Sequence, residues 1–128
     1  MSPSDAFTWS LAAQALLFVL LSLRVIQLRL SRKVGIGDGG DRDLKRAIRV
    51  HGNWVEWVPL TLLLLLVADL RGSPPAWIAG LGATLLVARL GHVLGLTRSV
   101  GLSVGRSGGI FLNVSVILAA AALAVLAG

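Results

Sequence analysis

Four long apolar segments, separated by three short polar ones, dominate the pattern of this chain. The apolar segments lie at about 7–30, 47–70, 76–96 and 107–127, and each is close to the roughly 20 residues that a helix needs to cross a bilayer. Lipid offers no hydrogen-bond partner to an open backbone, so each segment is expected to be helical. The pattern therefore predicts an all-α integral membrane protein, a bundle of four transmembrane helices in a single domain over residues 1–128.

The connections between the segments carry turn and charge signals. The first reads SRKVGIGDGGDRDLKR, in which GDGG indicates a tight turn and Asp41 or Asp43 is a candidate N-cap of the second helix. Basic residues concentrate in the first and third connections, at Arg32, Lys33, Arg42, Lys45, Arg46, Arg49, Arg98 and Arg106. The positive-inside rule then predicts that both connections are cytoplasmic and that both termini are periplasmic, if the source is bacterial. The first segment is not expected to be a cleaved signal peptide, because its basic residues follow it.

Composition narrows the classes of function. Only 14% of the residues are charged and the mean hydropathy is +0.83, which is too apolar for a soluble domain of this size. The absence of cysteine excludes disulfides, thiolate zinc sites and a cysteine nucleophile, and with two histidines no metal is expected. The net charge of +6 follows from the basic connections, so membrane lipids and not nucleic acid are the expected partners.

Ionisable residues lie inside three of the predicted helices. Counted from the cytoplasmic end of each segment at about 1.5 Å per residue, Arg24, Glu56 and Arg89 are each roughly 10 Å deep. A charge at the centre of a span costs about 2.5–3.5 kcal/mol on insertion scales, so matched depths predict a polar layer facing the protein interior. Glu56 is expected to pair with an arginine of another helix, with Arg89 as the preferred partner. An ion pair that only sets helix packing is an equal alternative.

The helical period groups the polar residues of the second segment by face. Arg46, Arg49, Asn53 and Glu56 fall within an arc of about 80°, and His51 points away from them. This stripe predicts a polar surface on one side of the second helix.

The third and fourth segments add to the polar layer. Arg89 and His92 are three residues apart and share a face. Arg106, Gly109 and Asn113 share a face of the fourth helix if it begins by Arg106. The layer holds more arginines than carboxylates, and this surplus of charge predicts an anionic ligand.

The stretch LKRAIRVHGNWVEWVPL resembles the MAPEG family, the membrane-associated proteins of eicosanoid and glutathione metabolism, and its bacterial members in particular. The shared pattern is an Arg-x-x-Arg followed by Asn, Glu and Pro, formed here by Arg46, Arg49, Asn53, Glu56 and Pro59. ARLGH on the third segment is similar to the family's Arg-x-x-His or Arg-x-x-Tyr element. The resemblance implies a homotrimer of four-helix subunits.

The resemblance also implies a glutathione-dependent transferase or peroxidase that acts on lipophilic small molecules, with glutathione as co-substrate between subunits near the cytoplasmic face. Together with the polar layer, it gives as ligands of glutathione or another anion Arg24, Arg46, Arg49, Asn53, Glu56, Arg89 and His92. Arg106 is the nearest match to the arginine that stabilises the glutathione thiolate, and is therefore the candidate catalytic residue. The chain has no tyrosine, and Trp57, His92 and Leu96 stand near the positions of the family's glutathione-binding tyrosines.

Two other functions stay open at the level of the sequence. A non-enzymatic MAPEG-like protein would bind lipid in the polar layer or act as a scaffold, so the sequence leaves open whether the chain is an enzyme. A small four-helix multidrug exporter ranks last, because it needs a carboxylate in the first span, where this chain has Gln14 and no acid.

Overall fold

A computed structural model describes residues 2–98 and 104–127, with side chains at 2–95 and 107–127, and the regular secondary structure of this part of the chain is all helical. The helices are α1 (Asp5–Arg32), α2 (Arg42–Leu70), α3 (Pro75–Arg98) and α4 (Val104–Leu126). All four are long and apolar enough to cross a membrane, which confirms the predicted fold class. The protein is therefore an integral membrane protein built as a four-helix bundle.

The second helix begins at Arg42, five residues before the position of about 47 that hydropathy alone predicts. Asp41 is the N-cap, since its carboxylate accepts the backbone N–H groups of Asp43 at 3.0 Å and Leu44 at 2.8 Å. The first turns of α2 are polar, so a prediction based on the length of the apolar segment does not include them. At about 1.5 Å per residue α2 is longer than the roughly 30 Å hydrocarbon layer, so its first turns reach the headgroup region.

The connection between α1 and α2 is a compact turn. Lys33 ends α1 in a left-handed conformation with φ of 55°, and Gly37, Gly39 and Gly40 also have positive φ, which glycine adopts at little cost. Arg29 donates from Nη1 to three backbone carbonyls of this turn, at 3.0 to 3.3 Å. We call the end of the bundle that carries residues 33–41 the loop end.

The helices pack so that α1 and α4 each contact both α2 and α3. A buried cluster at the opposite end, here called the apolar end, consists of Phe7, Leu65, Ala68, Ile78, Ala120 and Ala124. A second cluster at mid-depth consists of Val58, Leu62, Leu85 and Val116. Large apolar side chains on the outer faces remain exposed, as expected for helices that contact lipid or other subunits.

One glycine allows α3 and α4 to approach closely. A Cβ at Gly109 would lie 2.7 Å from the carbonyl oxygen of Ala88 and 3.2 Å from the Cβ of His92. Small residues at such crossings let membrane helices pack backbone to backbone. This contact brings the first turns of α4 against the segment of α3 that carries the candidate site.

Candidate functional site

A buried arginine on α3 joins three helices near the loop end. The Arg89 side chain is 2% exposed, and its Nη1 donates to Oδ1 of Asn53 on α2 at 2.7 Å. Its Nη2 donates to the carbonyl oxygen of Gly109 on α4 at 3.3 Å. Its Nε has no hydrogen-bond partner among the described residues. The guanidinium is thus held by two neutral acceptors, and its charge is not balanced by a described carboxylate.

The predicted pairing of Glu56 with Arg89 is wrong for this chain. Oε1 of Glu56 accepts from Nη1 of Arg49, seven residues earlier on the same helix, at 3.1 Å. The two side chains are 50% and 63% exposed on the outside of the subunit. The physical reason is that a neutral amide, Asn53, occupies the position next to Nη1 of Arg89, so that no carboxylate has to be desolvated there.

The polar stripe of α2 therefore divides into two pairs with spacings of seven residues, about two turns. Arg46 and Asn53 lie on the side that faces the bundle, where Arg46 is half-buried and Asn53 is buried. Arg49 and Glu56 lie on the outer side. All four residues lie within the predicted arc of about 80° on α2. An arc of this width includes both residues that face the bundle and residues that face outward.

An internal cleft of about 190 Å³ leads from the loop end into the subunit between α1, α2 and α3. Its lining includes Leu21, Arg24, Asp43, Arg46, Ala47 and Val50. A crevice too narrow for a water molecule lies beside it, shares Leu21 and Val50 with it, and is lined by Asn53, Arg89 and His92. Of the predicted anion ligands, Arg24 and Arg46 line the mouth of this internal cleft. Asn53, Arg89 and His92 line the crevice behind it.

The α4 part of the predicted site is described only in part. Arg106 belongs to the first turn of α4, and its side chain lies outside the described residues, so its catalytic role stays a prediction. Gly109 and Asn113, predicted to share its face, both point into the bundle. The Asn113 side chain is 1% exposed, and neither of its amide atoms has a hydrogen-bond partner among the described residues. His92 is likewise buried and lies against Gly109.

One polar contact between α1 and α2 was missed by the sequence reasoning. Oε1 of the buried Gln14 accepts from Nε1 of Trp54 at 3.0 Å, and the Trp54 ring packs on Phe18 with centroids 4.9 Å apart. His51 points away from the stripe as predicted and bonds through Nε2 to the hydroxyl of Ser22 at 3.0 Å. The spacing of four residues places Gln14, Phe18 and Ser22 on one face of α1, and this spacing could have predicted their contact with α2.

These features define a class: a multi-pass membrane protein of four helices whose loop end encloses an arginine network and an internal cleft. Residues 7–126 match the MAPEG family, and the chain belongs to this family.

Curated relatives include inner membrane protein YecN of Escherichia coli (strain K12) and the protein of the same name in Escherichia coli O6:H1 (strain CFT073). Each is 40% identical to this chain over 81 residues, which are 63% of this chain and 62% of the relative. The similarity thus spans somewhat less than two thirds of each relative.

Proposed function

We propose that this chain is the subunit of a homotrimeric inner membrane enzyme, a glutathione-dependent transferase or peroxidase for lipophilic electrophiles. Membership of the MAPEG family and similarity to inner membrane proteins support the class and the location. Glutathione binds near the loop end on the outer surface of α2, where a neighbouring subunit covers Arg49 and Glu56.

The exposed ion pair between Arg49 and Glu56 is the observation that carries this proposal. Both residues belong to a helix that is long and apolar enough to span a membrane, yet at least half of each side chain is exposed. Charged groups inside a span face protein or water and not acyl chains, because exposure to hydrocarbon is costly. A fixed pair of opposite charges complements the γ-glutamyl end of glutathione: Arg49 binds its carboxylate and Glu56 binds its ammonium group.

The buried network behind this surface keeps α2 in place. The hydrogen bond from Arg89 to Asn53 ties the helix that carries Arg49 and Glu56 to α3. Arg89 also holds the backbone of α4 at Gly109, one turn from Arg106. In the proposed enzyme Asn53, Arg89 and His92 therefore act as positioning residues that set the distance between the α2 surface and the start of α4.

The chemistry requires the thiol of glutathione as a thiolate. The family resemblance assigns this task to Arg106, whose positive charge stabilises the anion and lowers the thiol pKa. The thiolate sulfur then attacks an electrophilic carbon of a substrate that enters from the bilayer. A carbon–sulfur bond forms, and the leaving group, for example chloride from a chlorinated nitroaromatic, departs with the bonding electrons.

Calorimetric titration of the detergent-purified protein with glutathione tests the binding step. We expect saturable binding, and Arg49→Gln should weaken it by about tenfold or more, since one charge-assisted hydrogen bond is lost. Arg42→Gln is the matched control, because Arg42 is exposed in the first turn of the same helix and should not touch the ligand. Absence of binding at millimolar glutathione, or equal losses in the two variants, would remove the proposal in favour of a non-enzymatic role.

Turnover of a chlorinated nitroaromatic tests the catalytic step. Arg106→Ala should lower kcat while leaving most of the glutathione affinity, because the arginine acts on the thiolate and not on the ground-state thiol. A variant with unchanged kcat would assign thiolate stabilisation to another group.

The proposed enzyme has its loop end at the cytoplasmic face and both termini in the periplasm, as the basic connections indicate. Reporter fusions at each terminus measure this orientation. If the C-terminus is found in the cytoplasm, the orientation is the opposite of the one proposed.

A further inference from the structure

The internal cleft differs from the outer α2 surface in size, charge and location. Its volume of about 190 Å³ is the space of about six water molecules, below the roughly 300 Å³ at which pockets for drug-sized ligands begin. This space is smaller than a whole tripeptide, so it suits a small group or one end of a longer molecule.

The charges that face the internal cleft are mainly positive. Arg24 and Arg46 line its mouth with a single carboxylate, Asp43, whose contact with Arg46 is long, at 3.9 Å. Arg24 forms no ion pair with a described residue. Behind the cleft, in the adjoining crevice, Arg89 adds the charge of a third guanidinium, whose Nε has no partner among the described residues. Three arginines against one aspartate leave a net positive charge that an anion would balance.

The position of the internal cleft selects the kind of anion. Its mouth is formed by the first turns of α2, which extend beyond the hydrocarbon layer into the zone of the lipid headgroups. Apolar side chains, Leu21, Ala47 and Val50, form the wall between the arginines. Arginine forks beside an apolar wall suit a phosphate group that is attached to a hydrophobic chain.

We propose that the internal cleft binds a phosphate group, with Arg24 and Arg46 as its direct ligands and Arg89 as the charge behind it. An anionic lipid headgroup and free inorganic phosphate share this chemistry. The inference does not rest on the proposed glutathione site, which lies on the outer surface of α2, at Arg49 and Glu56.

The test titrates the detergent-purified protein separately with short-chain phosphatidylglycerol, with inorganic phosphate and with the matching phosphate-free diacylglycerol. We expect saturable binding of phosphatidylglycerol and none of diacylglycerol. Competition by inorganic phosphate at similar concentrations would identify a soluble phosphate as the ligand, whereas binding of the lipid alone would identify a headgroup site. Failure of both phosphate probes to bind would overturn the proposal.

Variants locate the binding. Arg24→Gln with Arg46→Gln should weaken phosphatidylglycerol binding by about tenfold or more, while Arg49→Gln on the outer surface should change it less than about twofold. Ala47→Leu narrows the same internal cleft without altering any charge, and should also abolish binding. Equal losses in the Arg49 variant and the double variant, or normal binding by Ala47→Leu, would overturn the assignment to this cleft.

The two proposals fail separately. Loss of glutathione binding in Arg49→Gln with phosphate binding intact supports two sites. If the protein binds phosphatidylglycerol but not glutathione, the proposed phosphate site in the internal cleft stands and the proposed enzyme activity is ruled out.

Discussion

The two ends of the bundle solve the same packing problem with different side chains. At the apolar end, aliphatic and aromatic residues fill the space between helices, and polar contacts lie at the rim. There, Asp69 accepts the backbone N–H of Ser4 at 2.7 Å, and Arg71 donates to the carbonyl of Ala127 at 2.5 Å. At the loop end, Arg89, Asn53 and Asn113 are buried inside the bundle.

This difference matters because lipid is as apolar as the packed core. Helices in a bilayer gain no hydrophobic free energy by associating, so the apolar end depends on close packing. The loop end buries an arginine and two amides instead, each of which needs a partner to offset its desolvation. Since such burial does not improve packing, we place the proposed ligand binding at the loop end.

Replacing Asn53 by leucine should have the largest effect on stability. The variant leaves the buried Arg89 guanidinium without its 2.7 Å acceptor, and we expect a loss of about 3 kcal/mol in the free energy of unfolding. Unfolding by sodium dodecyl sulfate in mixed micelles measures it. Adding Arg89→Met should recover part of the loss, because the charge and its acceptor then disappear together.

Thr61→Val is the control for that experiment on the same helix. Thr61 is also fully buried, but its hydroxyl bonds within α2 to the carbonyl of Trp57, so we expect a loss of about 1 kcal/mol or less. If Asn53→Leu and Thr61→Val lose equal amounts of unfolding free energy, the interhelical polar network contributes no more than an intrahelical hydrogen bond, and the prediction is wrong.

Gly109→Ala should come next. Its Cβ would meet the Ala88 carbonyl oxygen at 2.7 Å, so α4 must shift away from α3, at a cost of about 2 kcal/mol. A Cβ at the neighbouring Gly108 meets nothing within 4 Å, and Gly108→Ala should instead stabilise by up to about 1 kcal/mol through helix propensity. The same unfolding assay compares them, and effects of the same sign would contradict the close contact.

Glu56→Gln should have a smaller effect on stability. Within a single subunit the pair with Arg49 is half-exposed, and exposed ion pairs contribute about 1 kcal/mol or less to the stability of that subunit. The unfolding assay should therefore separate this variant clearly from Asn53→Leu. A loss as large as that of Asn53→Leu would instead indicate that Glu56 neutralises the buried arginine.

The smallest predicted effect concerns the start of α2 and its dependence on pH. The N–H of Leu44, and then Arg32, lower the pKa of Asp41 from its ordinary value. Because the folded pKa is below the unfolded one, the cap's contribution is present above the unfolded value of about 3.9 and is lost as pH falls through the folded pKa. Hydrogen-exchange protection of the first turn of α2 should decline in acid.

Asp41→Asn provides the matched variant, since asparagine caps helices about as well as aspartate and does not titrate. Protection of the same amides should then stay constant over this acidic range. Equal acid sensitivity in both proteins would assign the effect to another group.

Much of the architecture could be predicted from the chain alone. Hydropathy located four spans, because the length of an apolar run is set by the thickness of the bilayer, and GDGG with Asp41 marked the turn and the cap before α2. The helical period correctly separated His51 from the polar stripe of α2. The family pattern around Asn53 and Glu56 was equally visible in the sequence.

Only the tertiary structure decided which polar groups are in contact. Depth and direction matched Glu56 with Arg89, yet the contact belongs to Asn53, and Glu56 turns outward to Arg49. The choice depends on how far α2 is rotated against α3 and on how closely Gly109 lets α4 approach, and neither quantity is contained in the period of a single helix. The internal cleft has the same origin: its walls come from three helices, and a space between helices exists only once they pack.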